Sequence, residues 1–303
     1  MGVCFAIGAV TVIATIAFSH GNRSGAGEGD EKYGRQLFLK TSELIGPAAV
    51  NSAMRFGRNN LECASCHLAA GGEPGQLSLT AAMSRYPRFS ARSGANETIE
   101  DRINGCMIRS MNGRPLEKSS AEMRAMVAWL RFLANADAAT GASLKSVREP
   151  PAFTTPARAA DVNAGERVFG KRCAACHGKD GAGLAASKHI AQGYVFPPLW
   201  GTDSFNEGAG MHRLLTAARF VKAKMPPGEA DLSDGEAFDV AAFVNSQARP
   251  RMAHLDRDYP DRLQKPVDAP YPPYADHFPV TQHQLGPFQA IDAYYAGTQK
   301  AVK

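Results

Sequence analysis

The pattern Cys-X-X-Cys-His occurs twice in this chain, at Cys63–His67 and Cys173–His177. Two thiols at this spacing can each form a thioether to one vinyl group of a porphyrin, and the adjacent imidazole can then ligate the iron. A zinc half-site or a redox dithiol explains neither the histidine directly after the second cysteine nor the second copy. We therefore predict two covalently bound c-type haems, held by Cys63, Cys66, His67, Cys173, Cys176 and His177.

The composition is that of a folded, globular protein. The chain has 303 residues, enough for two ordinary domains plus extensions, and 44% of them are hydrophobic and 21% charged. The formal net charge of +5 is small, and no run of lysine and arginine indicates nucleic acid binding. This mild positive balance suits a small anionic substrate or an acidic redox partner.

A second landmark repeats at nearly the interval of the haem motifs. The motifs begin 110 residues apart, at Cys63 and Cys173, and two candidate helix capping boxes begin 114 apart, at Ser119 and Ser233. Apolar residues at helical spacing follow both boxes. Two unrelated landmarks with one period predict tandem copies of a small helical haem domain, and therefore an all-α fold.

Changes in composition divide the chain further. We expect residues 32–150 to form the first haem domain, residues 151–160 a proline-rich linker, and residues 161–248 the second haem domain. Residues 249–303 contain eight prolines, which rule out a long helix, yet they carry too many aromatic residues for a solvated tail. We predict an extended strap packed over one or both domains, with a disordered tail as the alternative.

The N-terminus carries an uncharged, apolar run at residues 2–18. This run is slightly short for a membrane span and long for the core of a signal peptide, and no basic segment precedes it. We expect residues 1–20 to be an export signal, with a retained membrane anchor as the alternative, and residues 21–31 to be a flexible tether. Thioether attachment of haem occurs outside the cytoplasm, so we expect the folded body in the periplasm.

A c-type haem iron commonly takes a further ligand, for which methionine or histidine is the default. Met225 precedes Pro226 and Pro227 and lies eight residues before Ser233, so a rigid loop can present it as the distal ligand of the second haem. The adjacent Lys224 can compete for the iron when its amine is neutral. A buried core methionine and a solvent-facing lysine are the alternatives.

The first half of the chain departs from the second at this point. Met111 lies eight residues before Ser119 and is the counterpart of Met225, but the lone thiol of Cys106 is also within reach. A thiolate opposite the histidine would donate electron density to the iron and lower its reduction potential. We favour Cys106 as the distal ligand of the first haem and keep Met111 as the alternative.

Several stretches of the chain resemble the diheme thiosulfate dehydrogenase family. They are residues 86–94, 102–114, 224–226, 271–274 and 286–288. The similarity extends over about residues 32–292, and its most specific part is the Arg-Ser-Met-Asn-Gly segment that follows Cys106. The resemblance implies two cytochrome c-like domains.

The resemblance also implies a set of iron ligands. It assigns His67 and Cys106 to the first haem and makes that haem the active site. At the second haem it implies His177, with Lys224 and Met225 as alternative ligands on the other side of the iron.

The reaction implied by the resemblance joins two thiosulfates into tetrathionate and passes two electrons to an acceptor cytochrome. Arg92 and Arg102 fall at the substrate-side arginines of the family, and with Cys106 they are the expected catalytic residues. Guanidinium groups suit sulfonate oxygens and offset the repulsion between two dianions. Arg109 and Arg114 also lie near Cys106 in the sequence.

Two other interpretations stay open at this point. A diheme electron carrier without its own substrate would need neither the lone Cys106 nor the arginines around it. The same enzyme working mainly as a tetrathionate reductase is the other, because reduction potentials set the direction of the reaction.

Overall fold

The computed structural model describes residues 28–139, 153–187 and 193–301, and most of its regular structure is helical. The helices are α1 (Glu28–Leu39), α2 (Thr41–Ile45), α3 (Ile99–Arg109), α4 (Ala121–Ala139), α5 (Val162–Arg172), α6 (Ala174–His177), α7 (Leu214–Lys224), α8 (Asp234–Ser246), α9 (Val280–Leu285) and α10 (Gln289–Ala301). Two short antiparallel ribbons pair β1 (Arg88–Ser90) with β2 (Ala95–Glu97) and β3 (Leu184–Ala185) with β4 (Tyr194–Phe196).

The first helical body forms where α1 packs against α4. The two helices approach closely at Gly34, where a Cβ would lie 2.0 Å from the Ala125 carbonyl oxygen. Leu37 and Phe38 of α1 join the apolar face of α4, including Met123 and Leu130, in one buried core. This helix pair supports the segment that carries Cys63–His67.

The second body repeats this arrangement with α5 and α8. Gly165 lies at their crossing, where a Cβ would be 2.0 Å from the Asp239 carbonyl oxygen. The motif Cys173–His177 follows α5 directly, and α7 packs on the other side of α8. The repeat expected from the sequence is therefore visible as two similar helix pairs.

The helix caps agree with the sequence at one landmark and differ at the other. Ser233 caps α8, and its side chain and that of Glu236 bond to each other's backbone N–H, as predicted. The box expected at Ser119 gives way to a simple cap at Ser120, whose hydroxyl accepts the Met123 N–H at 3.1 Å. Glu122, the acidic member of the expected box, instead accepts a hydrogen bond from a distant tyrosine hydroxyl in α1.

The C-terminal extension packs over both bodies. Residues 249–279 contain no α-helix, and the pair Arg109–Asp258 joins them to the first body. The expectation that prolines exclude a long helix is wrong for the last segment, since α10 spans 13 residues. The reason is that no proline follows Pro287. Phe288 and Ile291 are fully buried against the second body.

The predicted leader (1–20) and the first residues of the linker lie outside the described residues. The predicted tether is shorter than expected at its end, because α1 already begins at Glu28. Within the described ranges, every helix is too short or too polar to cross a bilayer.

Candidate active site

A cavity of about 490 Å³ lies in the first body. Its wall contains Cys63, Cys66 and His67, together with Cys106 of α3 and Met111 after it. Cofactor sites commonly have volumes of roughly 300–1,000 Å³, so the cavity and its motif suit a haem. Both candidate distal ligands of the sequence therefore reach the cavity that contains His67.

A second cavity of about 380 Å³ is lined by Cys173, Cys176 and His177 and by Met225. Met225 directly follows the last residue of α7, and the two prolines after it also line the cavity. The structure thus brings the predicted distal methionine to the cavity of the second motif.

Hydrogen bonds to backbone carbonyls orient both histidines. Nδ1 of His67 lies 2.8 Å from the Leu77 oxygen, and Nδ1 of His177 lies 2.8 Å from the Pro197 oxygen. An imidazole that donates through Nδ1 presents Nε2 as its metal-binding nitrogen. Both histidines are therefore set up to ligate an iron within their cavities.

Unpaired polar atoms near the second cavity also fit a haem. Nε and Nη1 of Arg249 are buried and have no hydrogen-bond partner among the described residues. Nη2 of Arg249 donates to the carbonyl oxygen of Val244, which lines the second cavity. Buried donors without a partner are costly, and the carboxylates of a haem would supply acceptors for them.

The side chain of Arg102 lies next to Cys106. Its Nη1 is 3.2 Å from the Cys106 sulfur, one turn along α3, and its exposed guanidinium lines the first cavity. Burial would raise the pKa of the Cys106 thiol. The charge of Arg102, the hydrogen bond and charge of His67 and the charge of Arg92 together exceed this effect, and the pKa of Cys106 falls from 9.0 to about 7.

Arg92 stands behind this pair in a set of contacts that the sequence did not indicate. Its Nη1 donates to the Gly208 carbonyl oxygen at 2.9 Å, and its Nε donates to the Tyr259 hydroxyl at 3.3 Å. The charge of Arg92 is close enough to lower the pKa of Cys106. Cys106 and Arg102 line the first cavity, and Arg92 lies near them without lining it.

The other two arginines near Cys106 in sequence have structural partners. Arg109 forms a two-bond ion pair with Asp258, with N–O distances of 2.7 and 2.9 Å. Arg114 donates to the Ala53 carbonyl oxygen and lies over the Phe56 ring. Both guanidinium groups are engaged by other parts of the protein, and no effect of either charge on Cys106 is evident, in contrast to Arg92.

Two exposed arginines that we did not select from the sequence, Arg85 and Arg88, line the first cavity. Arg88 lies within residues 86–94, a stretch that carries the family resemblance, and this was the available signal. Together with Arg102 they make the wall of the cavity positively charged.

Lys224 is directed away from the second cavity. Its Nζ donates to the Pro74 carbonyl oxygen at 2.7 Å and pairs with Glu73 at 3.2 Å. Among the described residues that line the second cavity, Met225 is present and Lys224 is not. The role of Lys224 as an alternative iron ligand stays a prediction.

Both halves of the chain match known cytochrome c families. Residues 53–137 match the SoxA/TsdA cytochrome c domain, and residues 160–244 match the family described as cytochrome c oxidase, cbb3-type, subunit III. These matches, with the helical structure, confirm the prediction of two tandem cytochrome c domains. They also support the two c-type haems.

Two curated relatives are thiosulfate dehydrogenases. A thiosulfate dehydrogenase of Stutzerimonas stutzeri is 38% identical over 73% of this chain and 68% of its own length. One of Allochromatium vinosum is 43% identical over 64% of this chain and 72% of its own length.

A solved structure resembles the fold. The thiosulfate dehydrogenase (TsdBA) of Marichromatium purpuratum, in its as-isolated form, is 33% identical and aligns with a TM-score of 0.66 over 78% of this chain. The chain spans 50% of the length of that chain. Taken with the curated relatives and the two haem motifs, this similarity shows that the chain belongs to the diheme thiosulfate dehydrogenase family.

Proposed function

We propose that this chain oxidises two thiosulfate ions to tetrathionate at the first cavity and passes the two electrons to an acceptor cytochrome c. The observation that carries the proposal is the convergence of Cys106, Arg102 and His67 on one cavity. A plain electron carrier would need the histidine but neither the thiol nor the arginine.

The positive wall of the first cavity binds the substrate. Arg102 makes its one hydrogen bond in the described part of the chain to Cys106, which leaves the rest of its guanidinium for sulfonate oxygens. Arg85 and Arg88 add positive charge where thiosulfate enters. Charge that is fixed before the anions arrive offsets their mutual repulsion and acts as electrostatic preorganisation.

Cys106 is the nucleophile of the proposed reaction. Its thiolate joins the terminal sulfur of a first thiosulfate, which forms one sulfur–sulfur bond and releases two electrons. The terminal sulfur of a second thiosulfate then attacks the sulfur bound to Cys106. This step breaks the bond to the protein, forms tetrathionate and returns the thiolate.

The remaining residues hold the groups that take the electrons. Each haem, when bound, accepts one electron at a time. Cys66, Phe205 and Met211 line both cavities, so the two motifs would hold their haems in neighbouring cavities. His177 and Met225 would hold the iron of the second haem, and we assign that haem to the exit of electrons toward the acceptor.

We also propose that the reaction is reversible and that the folded body lies in the periplasm. The same residues serve tetrathionate reduction when the potentials favour it, since both directions pass through one sulfur–sulfur exchange. We place the folded body in the periplasm, because haem attachment occurs there. The segment 2–18, proposed as export signal or anchor, precedes the described residues.

The test is the reaction of the oxidised holoprotein with thiosulfate, followed in the visible haem absorption and by tetrathionate analysis. We expect reduction of the haems and formation of tetrathionate. Cys106→Gly should keep both haems attached, as haem staining would show, but should lose thiosulfate oxidation. A wild-type protein that thiosulfate does not reduce, or a fully active Cys106→Gly variant, would contradict the proposal.

A further inference from the structure

The C-terminal extension contacts Arg92, one of the expected catalytic residues, through Tyr259. We propose that Tyr259 is a positioning residue that holds Arg92 in the orientation needed to bind the anionic substrate. The extension thereby supports a site whose expected catalytic residues, Arg92, Arg102 and Cys106, belong to the first haem domain. This inference rests on the proposed role of Arg92 in thiosulfate binding.

Arg92 and Tyr259 are joined in both directions. The Arg92 Nε donates to the Tyr259 hydroxyl at 3.3 Å, and the Tyr259 backbone N–H donates to the Arg92 carbonyl oxygen at 2.7 Å. The guanidinium carbon also lies 5.6 Å from the centre of the Tyr259 ring. Backbone and side chain of one residue are thus fixed by backbone and side chain of the other.

These contacts leave one nitrogen of Arg92 for a ligand. Nε is committed to Tyr259 and Nη1 to the Gly208 carbonyl oxygen. Nη2 makes no hydrogen bond to any residue that the structure describes. A guanidinium held at two nitrogens presents the third in a defined direction, which is what the binding of a sulfonate oxygen needs.

Tyr259 is itself held firmly. It is 4% exposed, and its backbone is left-handed, with φ of 57°. Residues other than glycine and asparagine rarely adopt this conformation. The preceding Asp258 is fixed by the ion pair with Arg109 and accepts the Tyr271 hydroxyl at 2.7 Å. An uncommon backbone conformation that its surroundings enforce is typical of a functional site.

The hydroxyl of Tyr259 has one hydrogen-bond partner in the described structure, the Nε of Arg92. Core packing alone would require the ring but not this oxygen. Tyr259→Phe therefore removes the contact with Arg92 and keeps the buried ring in place.

The experiment compares Tyr259→Phe with Tyr274→Phe in the full-length holoprotein. Tyr274 belongs to the same extension, but its hydroxyl donates to the Ala269 carbonyl oxygen at 2.9 Å and is separate from Arg92. For Tyr259→Phe we expect the KM for thiosulfate to rise about 5- to 30-fold, the ratio that corresponds to one lost hydrogen bond to a charged group. We expect kcat to stay within about twofold, and Tyr274→Phe to behave as wild type.

A double-mutant cycle tests whether Tyr259 acts through Arg92. In an Arg92→Gln background, Tyr259→Phe should have no further effect on KM, because the contact is already lost. If the KM increases caused by the two substitutions multiply in the double variant, the residues act independently and the inference is wrong. Calorimetric titration with sulfate, a dianion that the enzyme does not oxidise, gives a measurement without turnover, and its Kd should rise in Tyr259→Phe alone.

The two proposals fail in different ways. A wild-type protein that does not oxidise thiosulfate contradicts the proposed function. A wild-type protein that does so, with equal KM values for Tyr259→Phe and Tyr274→Phe, overturns the role of Tyr259 and leaves the proposed function standing. Equal melting temperatures of the two variants would show that any difference in KM is not a loss of folding.

Discussion

Arg102 and Cys106 show how much one helical turn can determine. Four positions along α3 bring a guanidinium within 3.2 Å of the thiol, and the arginine lowers the pKa of that thiol against the effect of burial. The spacing of these two residues was readable in the sequence. The position of Arg92 was not, because its partner Tyr259 is 167 residues away.

Lys224 and Met225 show what the sequence could not predict about two neighbouring residues. They are neighbours in sequence, and both were candidates for one iron, but their side chains lie in different places. Met225 lines the second cavity, whereas Lys224 bonds to Glu73 of the first body. Adjacency in sequence could not separate them, since the end of α7 decides which of the two faces the cavity.

His212 is a partly buried base whose titration should affect stability. Burial and, to a smaller extent, the charge of the neighbouring Arg249 together lower its pKa from 6.5 to about 4. The unfolded chain therefore binds a proton near pH 6.5 that the folded chain does not bind until about pH 4. Stability from this group is present above pH 6.5 and is lost progressively as the pH falls toward 4, by up to about 3 kcal/mol.

We expect the melting temperature of the holoprotein to fall between pH 7 and pH 5, and His212→Gln to reduce that fall. Glutamine can still donate to the Glu207 carbonyl oxygen, which His212 contacts through Nδ1 at 2.8 Å. Calorimetric unfolding at both pH values is the measurement. An identical fall in wild type and variant would show that His212 is not responsible.

At the scale of elements, local sequence predicted most helices well. The haem motifs, the capping box at Ser233 and the apolar spacing of α4 all act over a few residues, and the structure agrees with them. At the start of α4 the adjacent Ser120 caps the helix in place of Ser119, and Glu122 contacts Tyr33 of α1. Propensity alone does not contain that tertiary contact.

The crossing of α5 and α8 gives a prediction with a control in the same helix. A Cβ at Gly165 would lie 2.0 Å from the Asp239 carbonyl oxygen, so Gly165→Ala must push the helices apart and should destabilise the second body by about 1–3 kcal/mol or more. At Gly170, in contrast, a Cβ would meet nothing within 4 Å. Gly170→Ala should therefore leave stability unchanged or raise it by up to about 1 kcal/mol.

Denaturant unfolding of both variants, followed by circular dichroism, measures this difference. If Gly165→Ala were as stable as Gly170→Ala, the close approach of the two helices would be incorrect.

At the scale of the whole molecule, the extension ties the two bodies together. Asp258 pairs with Arg109 of the first body, with side-chain exposures of 10% and 14%, while α10 packs on the second. Composition predicted that residues 249–303 would pack on the domains, because their aromatic residues need cover. It could not predict which domain each part contacts, since that depends on partners far apart in the chain.

Removing one member of this buried pair should be costly. Asp258→Asn leaves the Arg109 guanidinium without its counter-charge, and we expect a loss of about 3–5 kcal/mol. Replacing both residues with Arg109→Met and Asp258→Leu should cost less than the single change, because no unpaired charge remains buried. Thermal unfolding of the three proteins checks the order, and a double variant less stable than Asp258→Asn would contradict it.

The wall shared by the two cavities has a consequence for when electrons are taken up and released. Cys66, Phe205 and Met211 belong to both cavities, so a single layer of side chains separates the groups held on either side. With a haem bound on each side, each side could hold one electron while no acceptor is present. Under the proposed function, reduction by the sulfur compound and oxidation by the acceptor would then be separate events, and a one-electron acceptor would react twice for each tetrathionate formed. The holoprotein would thus store two electrons between the two half-reactions, in addition to catalysing the first.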